Sequence, residues 1–333
     1  GTAHMGPAAL SLSMVGGEKK AFADRLEEKG LDARGGNRGA LRTGFVAGAP
    51  VKDVKAAFGY GHAPNLLLDR VSGSERGPSW LGTDQRLGDD LIVSGGAAAV
   101  AHRAGDWTLG FAAGAGRTLD RDAEELRIAE DGRAARLSVR AARDIGPAQL
   151  ALGYERLDES DSFLGSRGSA VLGLSGASTD FATAQLSVAL GSGWTLGLDA
   201  RAGLTRLDLG VGGLAESAER LKSSAFAFDL TRRGAFMAGD MLGLRISQPL
   251  RIEAGAITLG LPTDYDYAVR APIYTLTDAS LTPSGREIAV ETAYERPLAQ
   301  GYLQANAYWR RQPGHVAPAA DDAGVALRLG ARF

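Results

Sequence analysis

The chain has 333 residues, with 37 lysines and arginines against 39 aspartates and glutamates, for a formal net charge of -2 at pH 7. That balance leaves no basic excess to neutralise phosphates and argues against nucleic acid as a partner. There is no cysteine, which excludes disulfides, thiolate metal sites and thiol nucleophiles, and no run approaches the roughly 18 uninterrupted apolar residues that suggest a membrane helix.

The opening GTAHM, residues 1–5, reads as a vector scar, so a native N-terminus and any export signal are expected upstream. Residues 6–45 read as a linker. Within it EKKAFADRLEEKG (Glu18 to Gly30) predicts a helix, with helix formers throughout, Ala21, Phe22 and Leu26 on one side and Gly at its end. Two placements suit it: a surface helix, or a helix threaded through a polar lumen with its charges paired to the wall. GALRTGFVAGAP (Gly39 to Pro50) fits a strand, a pore linker or a remnant of a preceding domain.

Residues 46–333 read as the main unit, strand after strand from about Val51. Val54, Ala56, Phe58 and Tyr60 alternate with Lys55, Ala57 and Gly59. LIVSGGAAAVAHR (Leu91 to Arg103) turns at AGD into Trp107, Leu109, Phe111, Ala113 and Ala115. Ala135, Leu137, Val139 and Ala141 turn at DIGP into Ala148, Leu150, Leu152 and Tyr154. The pattern repeats through GSG (Gly191 to Gly193), RRGAFMAG (Arg232 to Gly239) and PLAQ (Pro297 to Gln300), and ends on VALRLGARF (Val325 to Phe333).

Short connections alternate strictly with long ones, around 62–90, 118–132, 158–178, 208–221, 249–285 and 311–322. About twelve antiparallel strands of roughly 10 residues, with short turns at one end and long loops at the other, predict an all-β transmembrane barrel. The faces agree. The apolar stripes suit lipid, whereas the opposite faces carry Arg136, Arg140, Arg201, Arg245, Arg328 and Arg332 with Glu155, Asp199, Asp229, Glu287, Glu291 and Glu295. These twelve are the expected pore-lining residues: in a wet lumen they stay solvated, but in a soluble core each would cost several kcal/mol unless well paired. Trp107, Trp194 and Tyr154, near strand ends, suit an interfacial aromatic girdle. The competing reading is a soluble sandwich with a charged outer face, which requires the apolar stripes to cover one another.

The 46 glycines sit inside these alternating runs, on the less apolar face, where something is expected to pass closely. Signals of chemistry are absent. His62 and His315 fall in long connections without metal-ligand spacing, Asp264 and Asp266 read as solvated loop carboxylates, and LGVGGL (Leu209 to Leu214) lies between strands and is no phosphate loop. No catalytic, cofactor or metal residue is assigned, and the chain reads as a non-enzyme.

FLGSRGSAVLGLSGAST (Phe163 to Thr179), GDMLGLRISQPLRIEAGAITLGLP (Gly239 to Pro262), LTPSGREIAVETAY (Leu281 to Tyr294) and YWRRQPGH (Tyr308 to His315) resemble the C-terminal translocator barrels of subtilisin-type serine-protease autotransporters of Gram-negative bacteria. The resemblance implies a twelve-stranded outer-membrane barrel with a helix through its pore that exports and anchors its own N-terminal passenger domain. The protease motifs of such passengers, including GTSxAxP, do not occur in this chain. A stand-alone channel or adhesin barrel, and an outer-membrane hydrolase, are the alternatives.

The final strand is expected to pair with the first, so that no sheet edge is left in lipid, with Val325, Leu327, Leu329 and Phe333 toward the bilayer and Arg328 and Arg332 toward the pore. The terminal Phe resembles the aromatic end recognised by the outer-membrane barrel assembly machinery. The expected partners are thus the lipid bilayer, that machinery and the chain's own passenger, with the barrel a monomer.

Overall fold

A computed structural model describes residues 9–17, 43–48, 53–60, 63–74, 77–78, 80, 94–117, 132–167, 171–299 and 301–332. The expected helix over 18–30, His62 and Phe333 lie outside them. The chain begins with β1 (Ala9–Gly17), β2 (Thr43–Gly48), β3 (Val54–Tyr60), helix α1 (Pro64–Ser72), β4 (Ser94–Ala104), β5 (Trp107–Arg117), β6 (Arg133–Ile145) and β7 (Ala148–Ser160). It continues through β8 (Ser162–Phe163), β9 (Ser166–Arg167), β10 (Leu174–Gly191), β11 (Trp194–Leu209), β12 (Ala215–Ala218) and β13 (Leu221–Arg233). It ends with β14 (Met241–Ala254), β15 (Ala256–Asp266), β16 (Ala271–Ser280), β17 (Ile288–Leu298), β18 (Gly301–Arg311) and β19 (Asp322–Arg332).

Among the described residues, fourteen strands form one sheet in the order β1-β19-β18-β17-β14-β13-β11-β10-β7-β6-β5-β4-β3-β2, every neighbouring pair antiparallel. Twelve of them begin at or after Val54; β1 and β2 are additional and lie in the stretch before residue 50. β2 falls within GALRTGFVAGAP, so of the three readings of that stretch the structure takes the strand. The alternation Leu10, Ser11, Leu12, Ser13, Met14 in β1 is the period-2 signal that marks a strand. β19 lies between β18 and β1, with Leu12 opposite Leu329 and Gly17 opposite Gly324. The last strand therefore pairs with the first.

Short turns join β4 to β5, β6 to β7 and β10 to β11, and the long connections all leave from the other end. Ser192 and Gly193, at φ 49° and 81°, make the two-residue link between β10 and β11. Both central residues of a type I′ hairpin need positive φ, which is why a glycine stands there. At the loop end β12, β15 and β16 form a separate three-stranded sheet, and β8 pairs with β9.

Burial is inside out relative to a soluble protein. Leu109, Phe111, Val139, Leu152 and Leu198 are exposed on the strands, while Arg136, Arg140, Glu155, Arg201 and Arg245 are buried. The buried face between them is filled by alanines such as Ala57, Ala99, Ala112 and Ala227. A sheet with this inversion is stable only where hydrocarbon, not water, meets its outer face.

Candidate functional site

The inward faces meet a segment folded into the bore. Helix α1 begins with proline in its first turn and ends at Gly73, whose φ of 71° closes a left-handed cap, with Ser74 N–H donating to Asp69 O at 3.0 Å. Nine residues are too few to be stable alone in water, so the wall holds the helix. Leu67, Leu68 and Val71 pack against Ala57, Ala97, Ala99, Ala101 and Ala112 of β3, β4 and β5. Two glycines on β5 admit it. A Cβ on Gly110 would lie 2.6 Å from Leu68 Cδ1, and one on Gly114 would lie 2.6 Å from Pro64 Cγ. The glycines on the inward face are thus sites of close approach.

The polar side of α1 is bonded to the wall. Asn65 Nδ2 donates to Glu155 Oε1 at 2.8 Å, and Asp69 Oδ1 is paired with Arg140. Glu155 accepts in turn from Arg201, whose guanidinium lies 3.8 Å from the centre of the Phe181 ring. The chain then reaches β13 and β14. A Cβ on Gly77 would lie 3.1 Å from Thr231, and Trp80, 4 % exposed, sits where a Cβ on Gly243 would meet its ring at 2.6 Å. Arg245 stacks on Trp80 at 4.9 Å and makes two bonds to Asp229, at 2.6 and 2.7 Å, with Asp199 at 4.0 Å. Helix α1 and residues 77, 78 and 80 therefore touch two separate stretches of the wall, and each contact includes charged residues expected to line the pore.

The remaining expected pore residues are placed as follows. Arg136 and Glu291 are buried, and Glu291 Oε1 accepts from Asn306 Nδ2 at 2.7 Å. Glu295 and Arg328 are half-buried. Arg332 ends β19 at the turn end. Val325, Leu327 and Leu329 are exposed on the outer face.

Glu287 belongs to a polar clasp at the loop end. Its backbone N–H donates to His315 Nδ1 at 2.9 Å, and its carboxylate accepts from Gly314 N at 2.6 Å and Arg310 Nη1 at 3.2 Å. Because Nδ1 accepts, His315 is neutral with its proton on Nε2, facing Leu250 O at 3.1 Å. Burial pushes the His315 pKa below its ordinary 6.5, with Arg251 and Arg286 adding to the effect against the opposing pull of Glu287 and Leu250 O. Arg251 donates to Gly285 O and Pro283 O at 2.9 Å each, and Arg286 N donates to Gln312 Oε1 at 2.8 Å. The clasp ties the ends of β14, β17 and β18 into one unit. At the turn end Asp240 caps residues 235–237: burial would raise its pKa, but bonds from Met237, Phe236 and Ala235 N–H and from Tyr294 hold it below the usual carboxylate range.

Asp264 and Asp266 lie at the tip of the exposed β15–β16 hairpin, and Asp266 accepts from Ala268 N at 2.8 Å as a turn residue. Among the described residues, no three His, Asp or Glu side chains are grouped so as to hold a metal ion. Asn65, Asp69 and Trp80 were not expected from the sequence. The signal for α1 is present in PNLLLDRVSG (Pro64 to Gly73), with proline just inside the start and glycine just past the end of a short apolar run.

An apolar outer surface, a charged inner face, alternating short and long connections and antiparallel neighbours throughout define a membrane-spanning β-barrel of the outer-membrane type. No protein-family model matches the chain, and no curated protein does. Solved structures that are similar to it include a porin refined at 1.8 Å, 13% identical over 97% of this chain and 91% of that one with a TM-score of 0.41. A loop L8 deletion mutant of OmpT, an outer membrane protein of Vibrio cholerae, is 12% identical over 98% and 97%, with a TM-score of 0.49. The beta domain of the Bordetella autotransporter Brka is 11% identical over 88% and 95%, with a TM-score of 0.32. The class assignment rests on the inside-out pattern of this chain itself.

Proposed function

We propose that the chain is the translocator barrel of an autotransporter, inserted in the bacterial outer membrane to export and anchor a passenger encoded upstream of residue 6. The observation that carries this reading is the clasp. Three of the stretches that resemble subtilisin-type autotransporter barrels supply it: Leu250 and Arg251 from the first, Pro283 to Glu287 from the second, and Arg310 to His315 from the third. That distant stretches sharing one resemblance meet in one network, with the Glu287–His315 bond buried at its centre, supports this reading. The lumen contributes a wall whose charged residues hold helix α1 and Trp80 of this same chain. The chain itself is read as a non-enzyme; any protease activity belongs to the passenger. Assembly machinery acting on the C-terminal strand, and a monomeric barrel, go with this reading.

A second reading, a stand-alone channel, is favoured by β1. Ala9 lies opposite Arg332 at the turn end, so β1 enters the wall from that side. One experiment separates the two. A secretory signal and an epitope-tagged segment are placed upstream of residue 6, and surface exposure is read on intact Gram-negative cells by antibody and added protease. Surface display supports export, whereas a tag retained in the periplasm beside a correctly inserted barrel overturns it in favour of the channel.

A further inference from the structure

We propose that the β15–β16 hairpin binds a second copy of this chain edge to edge, joining barrels in two facing membranes, whichever transport role the barrel serves. The hairpin has a packed base and a bare tip. Ile257, Leu259 and Ala279 belong to the apolar cluster around Leu174, Leu207 and Leu221. From Pro262 to Asp278 every residue except Asp266 is exposed, with Tyr274 at 59% and Leu276 at 67%. Two strands with neither face covered are marginal in water, and further strands at the edge are what stabilise such a ribbon.

The edge belongs to β16. Among the described residues it pairs with β15 alone. Leu281 N–H donates to Gly255 O at 3.0 Å, and bonding alternates residue by residue along an antiparallel strand. Thr275, Thr277 and Ala279 therefore face β15 with their backbone groups, while those of Tyr274, Leu276, Asp278 and Ser280 point outward. Pro272 contributes only a carbonyl, which blunts the edge at one residue and leaves the rest open.

Charge selects the partner and its direction. In an antiparallel pairing centred on Tyr274, that residue stands opposite its own copy, Leu276 opposite Pro272, and Asp278 opposite Arg270, the last two twice over about the two-fold axis. Arg270 and Asp278 are both exposed, and Asp278 also accepts from Thr258 Oγ1 at 2.8 Å. A parallel pairing, the one open to two copies side by side in one membrane, sets Arg270 against Arg270 and Asp278 against Asp278, which is destabilising. The antiparallel partner points the opposite way and so comes from a facing membrane, leaving the barrel a monomer within its own. The other charges nearby are set back from the edge. Asp264 and Asp266 are on β15 and Glu216, Glu219 and Arg220 are around β12, one and two strands behind, or about 5 and 10 Å. Arg251, Glu253 and Arg286, beyond the base, are paired among themselves. One such contact is small, but many copies on two facing surfaces act together.

The test places folded barrel in two vesicle populations carrying donor and acceptor dyes, with folding read by heat-dependent gel mobility. Wild-type vesicles are expected to bridge, seen as energy transfer between the populations. Arg270→Asp alone and Asp278→Arg alone each oppose like charges and are expected to weaken bridging about tenfold. Mixing vesicles of one variant with vesicles of the other should restore it, because every Arg then meets an Asp. Tyr274→Pro removes an outward N–H at the centre of the pairing and is expected to abolish bridging while the barrel still folds. No bridging by wild type, which would leave the edge to a different strand, unaltered bridging in folded Tyr274→Pro, or no recovery in the mixed variants would each overturn the proposal. Cross-linking of hairpins within one membrane, without bridging, would overturn it as well.

Discussion

Asp69 of the lumen helix and Arg140 of β6 form an ion pair with side-chain exposures of 0% and 8%, joining a nine-residue helix to the barrel wall. Removing one partner of a buried pair leaves the other uncompensated, at a cost of about 3–5 kcal/mol. Asp69→Ala is therefore expected to release the Pro64–Trp80 segment and raise single-channel conductance in a planar bilayer. The charge-swapped double variant, Asp69→Arg with Arg140→Asp, should restore part of the low-conductance state. Unchanged conductance in Asp69→Ala would show that the pair does not hold the segment in the bore.

The glycines of β5 give an independent handle on the same segment. Gly110→Val places methyl groups where Leu68 already sits, and the interior cannot absorb that overlap without movement. The conductance of Gly110→Val should rise, and Leu68→Ala in the same chain should lower it again by vacating the space. Gly96→Val, whose Cβ would meet nothing within 4 Å, serves as the control.

The clasp at the loop end is expected to respond to acid. His315 has its pKa depressed in the folded state, so its contribution to stability is complete above the ordinary value of 6.5 and declines as pH falls toward the lower folded value. Protonating Nδ1 removes its bond from Glu287 N–H and adds a cation beside Arg251, Arg286 and Arg310, with Glu287, Glu253 and Asp322 as the neighbouring anions. Protease cleavage between residues 281 and 287 should be faster at pH 5 than at pH 7.5 in wild type. His315→Gln should cut at a nearly pH-independent rate, and a pH effect as large as that of the wild type would move the switch elsewhere.

The outer face should grade charges by depth. Val139→Arg places a cation in the middle of the apolar belt and is expected to cost about 2–4 kcal/mol in folding into vesicles. Ser178→Arg, in the row that already carries Asp158 and Arg206, should cost about 0–1 kcal/mol. Denaturant titration of the barrel in lipid reads both, and equal costs would contradict the assigned belt.

Much of the wall was legible from period-2 alternation, because lipid and lumen demand opposite side chains at every second position. Arg136, Arg140 and Arg201 stand on the buried face opposite Leu137, Val139 and Leu198 on the outer one. What fills the lumen was not legible in the same way. Sequence periodicity shows that Arg140 faces inward, but its partner Asp69 lies 71 residues away in a connection, and such long-range pairing leaves no local pattern. The expected helix over 18–30 lies outside the described residues, and the helix the structure places in the bore is Pro64–Ser72. β1 and β2 were obscured for a different reason: six or nine residues of mild alternation beside glycines do not separate strand from linker until a neighbouring strand offers a ladder.

The central claim is an inside-out barrel with part of its own chain in the bore, and its tryptophans test that most directly. The chain has four. Trp107 and Trp309 are exposed on the outer face and Trp194 shares that face beside Arg232, whereas Trp80 is buried against Gly243 and Arg245. Four single-tryptophan variants, folded into vesicles of brominated lipid, should show strong quenching for Trp107, Trp194 and Trp309 and almost none for Trp80. Trp80 quenched as strongly as the other three, or three outer tryptophans that bromine does not reach, would contradict the account.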